Sequence, residues 1–311
     1  MRFCFGVDIG GTTVKIGLFN EEGEILDKWE IVTRKENKGE NIIPDIAEAI
    51  NNKLNEKAID KSDVIGIGAG VPAPVSSDGI VRGSANLGWE YKEVRKELSE
   101  LTGIKVITGN DANVAALGEM WKGSGSGAKD MIMVTLGTGV GGGIIIDGKI
   151  LAGSNGAGGE IGHICVDYNE DEVCGCGNKG CLEQYASATG VVRLANRKLK
   201  NETRATTLPK ENITAKDVFD KVKEGDEVAL EIAEEFGNYI GAGLSIVCAI
   251  IDPTVIVIGG GVSKAGEVLL KYVKEGFNKK CFFANKGVEF KLASLGNDAG
   301  MCGCAKMALD I

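Results

Sequence analysis

The only histidine of this 311-residue chain, His163, precedes three closely spaced cysteines, Cys174, Cys176 and Cys181. One imidazole and three thiolates form a complete tetrahedral set, and Cys₃His sets of this kind are typical of structural zinc. Gly175 lies between the first two cysteines and allows both sulfurs to face one ion. The alternatives are a disulfide pair or a group of unrelated free thiols. The spacing favours a zinc site with four protein ligands.

Two glycine-rich turns follow strand-like segments in corresponding places of the two halves, DIGGTTVK at residues 8–15 and TLGTGVGGG at residues 135–143. Exposed backbone N–H groups and threonine hydroxyls can hold phosphate oxygens there. Asp8 ends its strand and is placed to meet a metal, directly or through water. Either turn alone could be an ordinary hairpin, but two at matching positions suggest a phosphate held from both halves. The candidate residues are Asp8, Gly10, Gly11, Thr12, Thr13, Lys15, Gly137, Thr138 and Gly139.

A third glycine stretch, VIVIGGGVSKAG, joins a strand to a helix and contains Gly260 and Gly261. Such a turn lets a nucleotide lie against the backbone, although a close-packed strand–helix turn would show the same pattern. The spacings GxxxxGK[ST] and GxGxxG with a downstream acid are absent, so neither a Walker loop nor a dinucleotide fold is predicted. The acidic stretch DYNEDE, residues 167–172, lacks the glycine and final glutamate of a calcium loop.

Asn110 and Asp111 follow the strand-like IKVITG and begin a helical segment. Asp111 could be a helix N-cap, which is a common role for aspartate. It could instead be a general base that accepts a proton from a sugar hydroxyl as that oxygen attacks a γ-phosphate. Both interpretations place its carboxylate at the first turn of the helix.

Strand and helix signals alternate along the chain. Residues 3–9, 13–20 and 24–32 are predicted strands, and the isoleucine spacing predicts a helix over 42–57. A long helix is predicted over 226–251, and another over 262–277. FGVDIGGTTVKIGLFNEEGEIL aligns with IMVTLGTGVGGGIIIDGKIL as strand, glycine turn, strand, turn, strand. This internal repeat predicts two similar α/β domains with a cleft between them.

The composition limits the classes of function. The net charge of −9 argues against a broad nucleic-acid surface, and no apolar run is long enough to span a membrane. Nine cysteines without a signal-peptide pattern fit a reducing cytoplasm better than a disulfide scaffold. We therefore expect a cytoplasmic enzyme with small-molecule substrates and no nucleic-acid or membrane partner.

Taken together, DIGGTTVK, NDAN, TLGTGVGGG, EIGH, CGCGNKGCLE and IGGGVS resemble the ROK family (repressors, open reading frames and kinases), and within it the bacterial glucokinases. The resemblance implies two ribonuclease-H-like (actin/hexokinase-type) domains with an active-site cleft between them. It also implies ATP-dependent phosphorylation of glucose to glucose 6-phosphate with Mg²⁺ and a structural Zn²⁺. The expected domains are residues 1–118, with a terminal helix over 298–311 packed back on them, and 119–297, which carry the zinc loop.

Residue by residue, the resemblance makes Asp111 the catalytic base. It implies that phosphate or Mg²⁺ is held at the two glycine turns and that adenosine lies at Gly260 and Gly261. All four zinc ligands match. The residues implied to bind sugar hydroxyls are Asn86, Asn110, Asp111, Glu160, His163 and Glu183.

Three alternatives follow from the same resemblance. Ala73 stands where relatives often have glycine, which leaves mannose, fructose or an N-acetylhexosamine open as the substrate, whereas Asn86 and Trp89 in SANLGWE match the glucokinase pattern. A sugar-responsive repressor would carry an N-terminal helix-turn-helix extension. Here a strand is predicted from residue 2, so we expect a kinase. The third alternative is a non-catalytic sugar sensor, which would be expected to lack the base, and Asp111 is present. The resemblance also implies a homodimer.

Overall fold

The computed structural model describes residues 1–311 as a mixed α/β chain with two five-stranded sheets and one two-stranded sheet. The strands are β1 (Phe3–Ile9), β2 (Thr13–Asn20), β3 (Ile25–Val32), β4 (Val64–Val71), β5 (Ile80–Val81), β6 (Lys92–Glu93), β7 (Val106–Asn110), β8 (Met131–Leu136), β9 (Val140–Ile146), β10 (Lys149–Ile150), β11 (Val255–Gly259) and β12 (Glu289–Leu292). The first large sheet has the strand order β3-β2-β1-β4-β7, and the second has the order β10-β9-β8-β11-β12.

Ten α-helices accompany the sheets, together with five short 3₁₀ segments at 61–63, 161–163, 262–265, 283–287 and 296–298. None of the helices is long and apolar enough to cross a lipid bilayer. The helices are α1 (Glu36–Gly39), α2 (Ile42–Lys57), α3 (Val94–Thr102), α4 (Asp111–Lys122), α5 (Glu183–Ala186), α6 (Ala188–Leu199), α7 (Ala215–Glu224), α8 (Glu227–Ile251), α9 (Glu267–Lys280) and α10 (Ala299–Leu309).

The repeat predicted from the sequence is confirmed by the strand orders. In each large sheet three consecutive strands form a meander, and two further strands extend the sheet beyond the first of them. The added strands run parallel to their neighbours: β1 pairs in parallel with β4, and β8 pairs in parallel with β11. Each half therefore has the same architecture, with its glycine turn between its first two strands.

Parallel pairing decides which residues share an edge of the first sheet. Asp8 pairs with Gly70, and Val71 pairs with Asn110, so the carboxyl ends of β1, β4 and β7 meet at one edge. Lys15 lies directly opposite Asp8 on the antiparallel β2. The carboxyl edge of parallel strands is where ligands bind in open α/β sheets. The register thus explains why residues far apart in the sequence gather there.

The chain divides into two compact units. One comprises Met1–Gly127, Gly143–Gly159 and Asn297–Ile311, and the other comprises Ala128–Gly142 and Glu160–Gly296. Helix α10 belongs to the first unit and lies very close to β4, since a Cβ added at Gly68 would come within 1.8 Å of the carbonyl oxygen of Cys304. The boundaries expected from the sequence, 1–118 and 119–297, stay a prediction.

Two differences from the sequence prediction have local causes. The helix expected over 262–277 is interrupted at Gly266, whose φ of 78° ends the 3₁₀ segment before α9 begins. Helices α6 and α7 occupy a stretch for which no element was predicted. A capping box between Thr214 and Asp217 starts α7, and this is the signal that would have located it.

Candidate functional site

The four predicted metal ligands lie together in the second unit. The donor atoms of His163, Cys174, Cys176 and Cys181 are all within 4.8 Å of one another. The Sγ atom of Cys174 is 3.9 Å from Nδ1 of His163, and the Sγ atoms of Cys176 and Cys181 are 3.6 Å apart. Ligands bound to zinc in a tetrahedron at about 2.0–2.3 Å are separated by roughly 3.3–3.8 Å. The donors therefore fit a four-coordinate zinc ion, and no disulfide joins them.

A tight turn brings the cysteines together. The backbone N–H of Gly177 donates to the carbonyl of Cys174 over 2.8 Å, and the N–H of Cys174 donates to the carbonyl of Asn178 over 2.7 Å. Gly177 has a φ of 90°, which residues other than glycine adopt only with backbone strain. Cys165 pairs with Cys181 in an isolated bridge, which holds the two ends of the loop side by side.

Glu183 begins α5 shortly after the last metal ligand, and its carboxylate contacts the second glycine turn. Its Oε2 accepts a hydrogen bond from the N–H of Val140 over 3.0 Å. A Cβ added at Gly139 would lie 2.1 Å from the same oxygen, so only glycine permits this approach. A residue predicted to bind sugar and a residue predicted to bind phosphate thus lie in direct contact.

Glu160 precedes a short 3₁₀ segment that ends at His163, and both residues are exposed. The N–H of His163 donates to the carbonyl of Glu160 over 3.2 Å. Because Nδ1 of His163 faces the thiol of Cys174, Nε2 is left for a different partner. The imidazole can therefore serve a metal on one side and a polar ligand on the other.

The second glycine turn also lies beside a cavity. The carbonyl of Gly137 accepts from the N–H of Ala188, and the carbonyl of Thr138 accepts from the hydroxyl of Thr189 over 2.9 Å. Ala188 and Gly261 both line a cavity of about 320 Å³. Parallel pairing of β8 with β11 explains why the turns after these two strands are neighbours. The remaining lining residues, none of which was predicted from the sequence, include Thr214, Lys216, Phe219, Lys223 and Lys264.

In the first unit, the first glycine turn is held by its neighbours on β2 and β3. The N–H of Gly10 donates to the carbonyl of Thr13 over 3.0 Å, and the hydroxyl of Thr33 donates to the carbonyl of Gly10 over 2.7 Å. The N–H of Thr33 also donates to the carbonyl of Thr12 over 2.9 Å. A Cβ on Gly11 would lie 3.4 Å from the carbonyl oxygen of Asn86, so the predicted sugar ligand Asn86 lies against this turn.

Asp8, at this edge of the sheet, is a carboxylate with a strongly raised pKa. Burial, with a smaller contribution from the negative charge of Asp111, raises the pKa of Asp8 to about 6, and Lys15 opposes both effects. The ammonium group of Lys15 also donates to the carbonyl of Asn297 over 3.2 Å. Two carboxylates that repel each other at the ends of strands in one sheet are suited to share a cation.

The helix cap at α4 is provided by Asn110 and not by Asp111. The Oδ1 atom of Asn110 accepts from the N–H groups of Ala112 at 3.0 Å and Asn113 at 3.1 Å. Its Nδ2 donates to Oδ1 of Asp111 over 3.0 Å and to the carbonyl of Ala73 over 3.2 Å. Asp111 is the first residue of the helix, so the N-cap interpretation of Asp111 is wrong. Asn110 orients the carboxylate of its neighbour.

A charged network next to the metal ligands was missed by sequence reasoning. Glu170, in the acidic stretch DYNEDE, is buried and paired with Arg193 and Arg197 of α6. Its partners are 23 and 27 residues away in the sequence, and both residue types are common on surfaces. The only sequence signal was the spacing of the two arginines by one helical turn.

Comparison with known proteins agrees with this geometry. The sequence profile of the ROK family matches residues 4–311. A glucokinase from Halalkalibacterium halodurans is 46% identical over 308 residues, which cover 97% of this chain and 93% of the relative. A glucokinase from Thermotoga maritima is 37% identical over 309 residues, which cover 97% of this chain and 96% of the relative.

Among solved structures, a ROK family glucokinase from Streptomyces griseus, crystallised with glucose and AMPPNP, superimposes with a TM-score of 0.76 at 33% identity. The match covers 99% of this chain and 100% of the other. The fold is therefore the actin/hexokinase-type two-domain fold expected from the sequence. From the profile match, the full-length relatives and the shared fold, this chain is a member of the ROK family.

Proposed function

We propose that this protein is an ATP-dependent sugar kinase that phosphorylates glucose to glucose 6-phosphate. The observation that carries this function is its 46% identity to a glucokinase over nearly the full length of both chains. A related structure at 33% identity was solved with glucose and AMPPNP, a sugar and an analogue of ATP. The predicted sugar and phosphate residues of this chain are consistent with the same pair of substrates.

The sugar is assigned to residues that offer both hydrogen-bond donors and acceptors. Each hydroxyl of a hexose needs both, and carboxylates, amides and an imidazole together supply them. A site that satisfies each hydroxyl rejects analogues that lack one by about 10⁴-fold or more. The residues assigned to this role are Asn86, Asn110, Asp111, Glu160, His163 and Glu183.

Asp111 is assigned as the general base. The amide of Asn110 holds Oδ1 of Asp111, and the N–H of Ala112 donates to the same oxygen over 2.8 Å. These hydrogen bonds fix the orientation of the carboxylate. We expect it to orient the attacking hydroxyl of the sugar and to accept its proton late in the transfer, because an aspartate is a weak base at neutral pH.

The phosphates of ATP are assigned to the two glycine turns, and its adenosine to the cavity beside Gly261. Backbone N–H groups of both turns donate to phosphate oxygens in this proposal, with Thr12, Thr13, Lys15 and Thr138 adding side-chain donors. Asp8 is the residue that would hold Mg²⁺. Bound Mg²⁺ would neutralise the charge that builds on the phosphate oxygens during transfer.

Zinc is proposed as a structural ion held by His163, Cys174, Cys176 and Cys181. Four protein ligands leave no open position for a reacting water, so it has no catalytic role. Its effect would be to fix the loop that positions Glu160, His163 and Glu183. Nine free cysteines and a thiolate site fit the reducing cytoplasm, which we propose as the location. We also propose a homodimer, which sedimentation analysis would test.

The test is a coupled assay with ATP and a panel of hexoses. We expect glucose to give the highest kcat/KM, and no ATP-dependent phosphorylation of any hexose would refute the proposed activity. The panel must include mannose, fructose and N-acetylhexosamines, because Ala73 stands where relatives often have glycine. Ala73 lies next to the predicted sugar ligand Asn110, whose side-chain amide donates to its backbone carbonyl. A preference for one of these sugars would keep the kinase and replace the substrate.

A further inference from the structure

The loop between His163 and α5, here called the zinc loop, carries the predicted metal ligands at its beginning and in its second half. The stretch between them, residues 166–173, contains no ligand. Glu170 lies in this stretch and has only 3% of its side chain exposed. A buried carboxylate needs positive or hydrogen-bonding partners, because burial of an unpaired charge is very unfavourable.

Glu170 has such partners on two helices. Its Oε2 accepts from the hydroxyl of Tyr185 over 2.6 Å and from Nη2 of Arg197 over 3.0 Å, and it also pairs with Nη2 of Arg193. The N–H of Glu172 donates to its Oε1 over 2.9 Å. Burial alone would raise the pKa of Glu170, but these hydrogen bonds outweigh it and hold the pKa at about 2.

The same network reaches the segment that carries Glu183. Tyr185 and Gln184 follow Glu183 in α5. The Oε1 atom of Gln184 accepts a hydrogen bond from the backbone N–H of the metal ligand Cys181 over 3.0 Å. The backbone carbonyl of Gln184 accepts from Nη1 of Arg193 over 3.2 Å. Its Nε2 donates to the carbonyl of Glu172 over 3.0 Å. The two residues that follow Glu183 are therefore tied to Glu170 or to its partners.

Aromatic packing and a second carboxylate complete the attachment. The ring of Tyr185 stacks on that of Tyr239 with centroids 3.9 Å apart, and the guanidinium of Arg193 lies 5.2 Å from the centroid of the Tyr185 ring. Both tyrosine hydroxyls donate to Oδ2 of Asp167, at 3.1 and 3.2 Å. Asp167 and Glu170 thus bind the loop to α5, α6 and α8 without any metal.

We infer that Glu170 is a positioning residue for the sugar site: with Arg193, Arg197 and Tyr185 it forms a second anchor of the zinc loop that sets the orientation of Glu183. The part of this inference that concerns sugar rests on the proposed function. The anchor itself rests on contacts within one unit of the chain. In this inference the acidic stretch DYNEDE, residues 167–172, has a structural role as part of the anchor.

Glu172 provides a matched control. It pairs with the same two arginines, at 2.9 Å to Nε of Arg193 and 3.4 Å to Nη2 of Arg197, but 63% of its side chain is exposed. Exposed ion pairs contribute little, whereas removing one charge from a buried pair leaves its partners uncompensated. Glu170→Gln and Glu172→Gln therefore make the same chemical change in two environments.

The experiment measures steady-state kinetics and the rate of zinc release to a chromogenic chelator under native conditions. For Glu170→Gln we expect the KM for glucose to rise and zinc release to accelerate, each by about tenfold or more, as happens when partners of metal ligands are lost. The KM for ATP should rise less than the KM for glucose, because the anchor acts on the second glycine turn only indirectly, whereas Glu183 binds the sugar directly in the proposed function. Glu172→Gln should match the wild type in all three quantities.

Two outcomes overturn the inference. One is Glu170→Gln behaving like Glu172→Gln, and the other is the KM for ATP rising by as large a factor as the KM for glucose. If Glu170→Gln does not fold, Tyr185→Phe keeps the ring and removes only the hydroxyl, and it should show the same pattern in weaker form. Failure of the proposed function is distinguishable, because the wild type would then phosphorylate no sugar while zinc release would still separate the two glutamine variants.

Discussion

At the scale of single residues, Asp111 is the clearest test of the proposed chemistry. Asp111→Asn keeps the shape and the hydrogen bond from Ala112 but removes the proton acceptor. We expect kcat to fall by roughly 10²–10⁴-fold, the usual contribution of a general base. Glucose binding, measured by titration calorimetry, should change little. A variant with near-normal kcat would rule out Asp111 as the base.

Asp8 gives a prediction about stability and pH. Its pKa is raised from 3.8 to about 6 in the folded chain. Between these values the folded state keeps a proton that the unfolded chain has released, so stability falls as pH rises from about 4 to 6 and stays lower above it. Each pKa unit corresponds to about 1.4 kcal/mol, so Asp8→Asn should gain up to about 3 kcal/mol at pH 7–8 and nothing below pH 4.

Urea unfolding from pH 4 to pH 8, without nucleotide, measures this gain. The exposed Asp63 serves as the control, because Asp63→Asn changes a carboxylate already in water. Equal stability of wild type and Asp8→Asn at every pH would contradict the perturbed carboxylate. The gain in stability of Asp8→Asn should be accompanied by a loss of phosphorylation activity, because enzymes keep destabilising residues where function requires them.

Residue chemistry was predictable from the sequence only where rare types lie close together. One histidine and three cysteines stand within 19 positions, so their types and spacing were enough to predict that their donor atoms lie together, as the structure shows. Glu170 and its arginines are common residue types separated by more than 20 positions, and only the fold shows that they meet. The roles of the sugar and phosphate residues stay predictions.

At the scale of elements, the zinc loop should depend on its ion. Metal analysis should give about one zinc per chain. Cys174→Ser should lose the zinc and lower the melting temperature by roughly 10 °C, the effect of about 3–5 kcal/mol in a unit of this size. Cys165→Ser changes a cysteine of the same loop that is outside the ligand set, and it should retain the metal. A metal-free, folded and active wild type would refute the site.

Two glycines of the same loop allow the effect of backbone conformation on stability to be measured apart from steric crowding. A Cβ added at Gly175 or at Gly177 would contact nothing within 4 Å, but only Gly177 has a positive φ, of 90°. Gly177→Ala should therefore destabilise the protein by about 1–2 kcal/mol, while Gly175→Ala should be near neutral. Thermal unfolding of the two variants side by side measures the difference. Equal effects would mean that the positive φ does not restrict position 177 to glycine.

Helices and strands were predictable where apolar residues follow one clear period. The isoleucines of α2 and the long apolar face of α8 gave bounds within one residue of those observed. The break at Gly266 was not foreseen, because the apolar spacing continues across it and only the φ of that glycine ends the segment. The three-strand unit that both sheets share was predictable from the matching glycine turns, whereas the positions of β4, β7, β11 and β12 in the sheets were not.

At the scale of the whole molecule, the net charge of −9 bears on the partners. DNA binding releases counterions where a basic surface meets the phosphates, and an excess of acidic side chains disfavours a broad surface of that kind. We expect no specific binding to operator-sized DNA at physiological salt, measured by fluorescence anisotropy. Affinity tighter than about 10⁻⁸ M for one sequence would favour a regulator over a kinase.

Helix α10 also affects how the protein is made. It covers β1 and β4, where glycines allow its backbone to approach, yet it is translated long after both strands. The remainder of the first unit has been synthesised by residue 159, about 140 residues before α10 begins. At about 5–20 residues per second, the nascent first sheet waits roughly 7–28 s for its covering helix. During that interval the growing polypeptide exposes an apolar surface that chaperones and proteases can recognise.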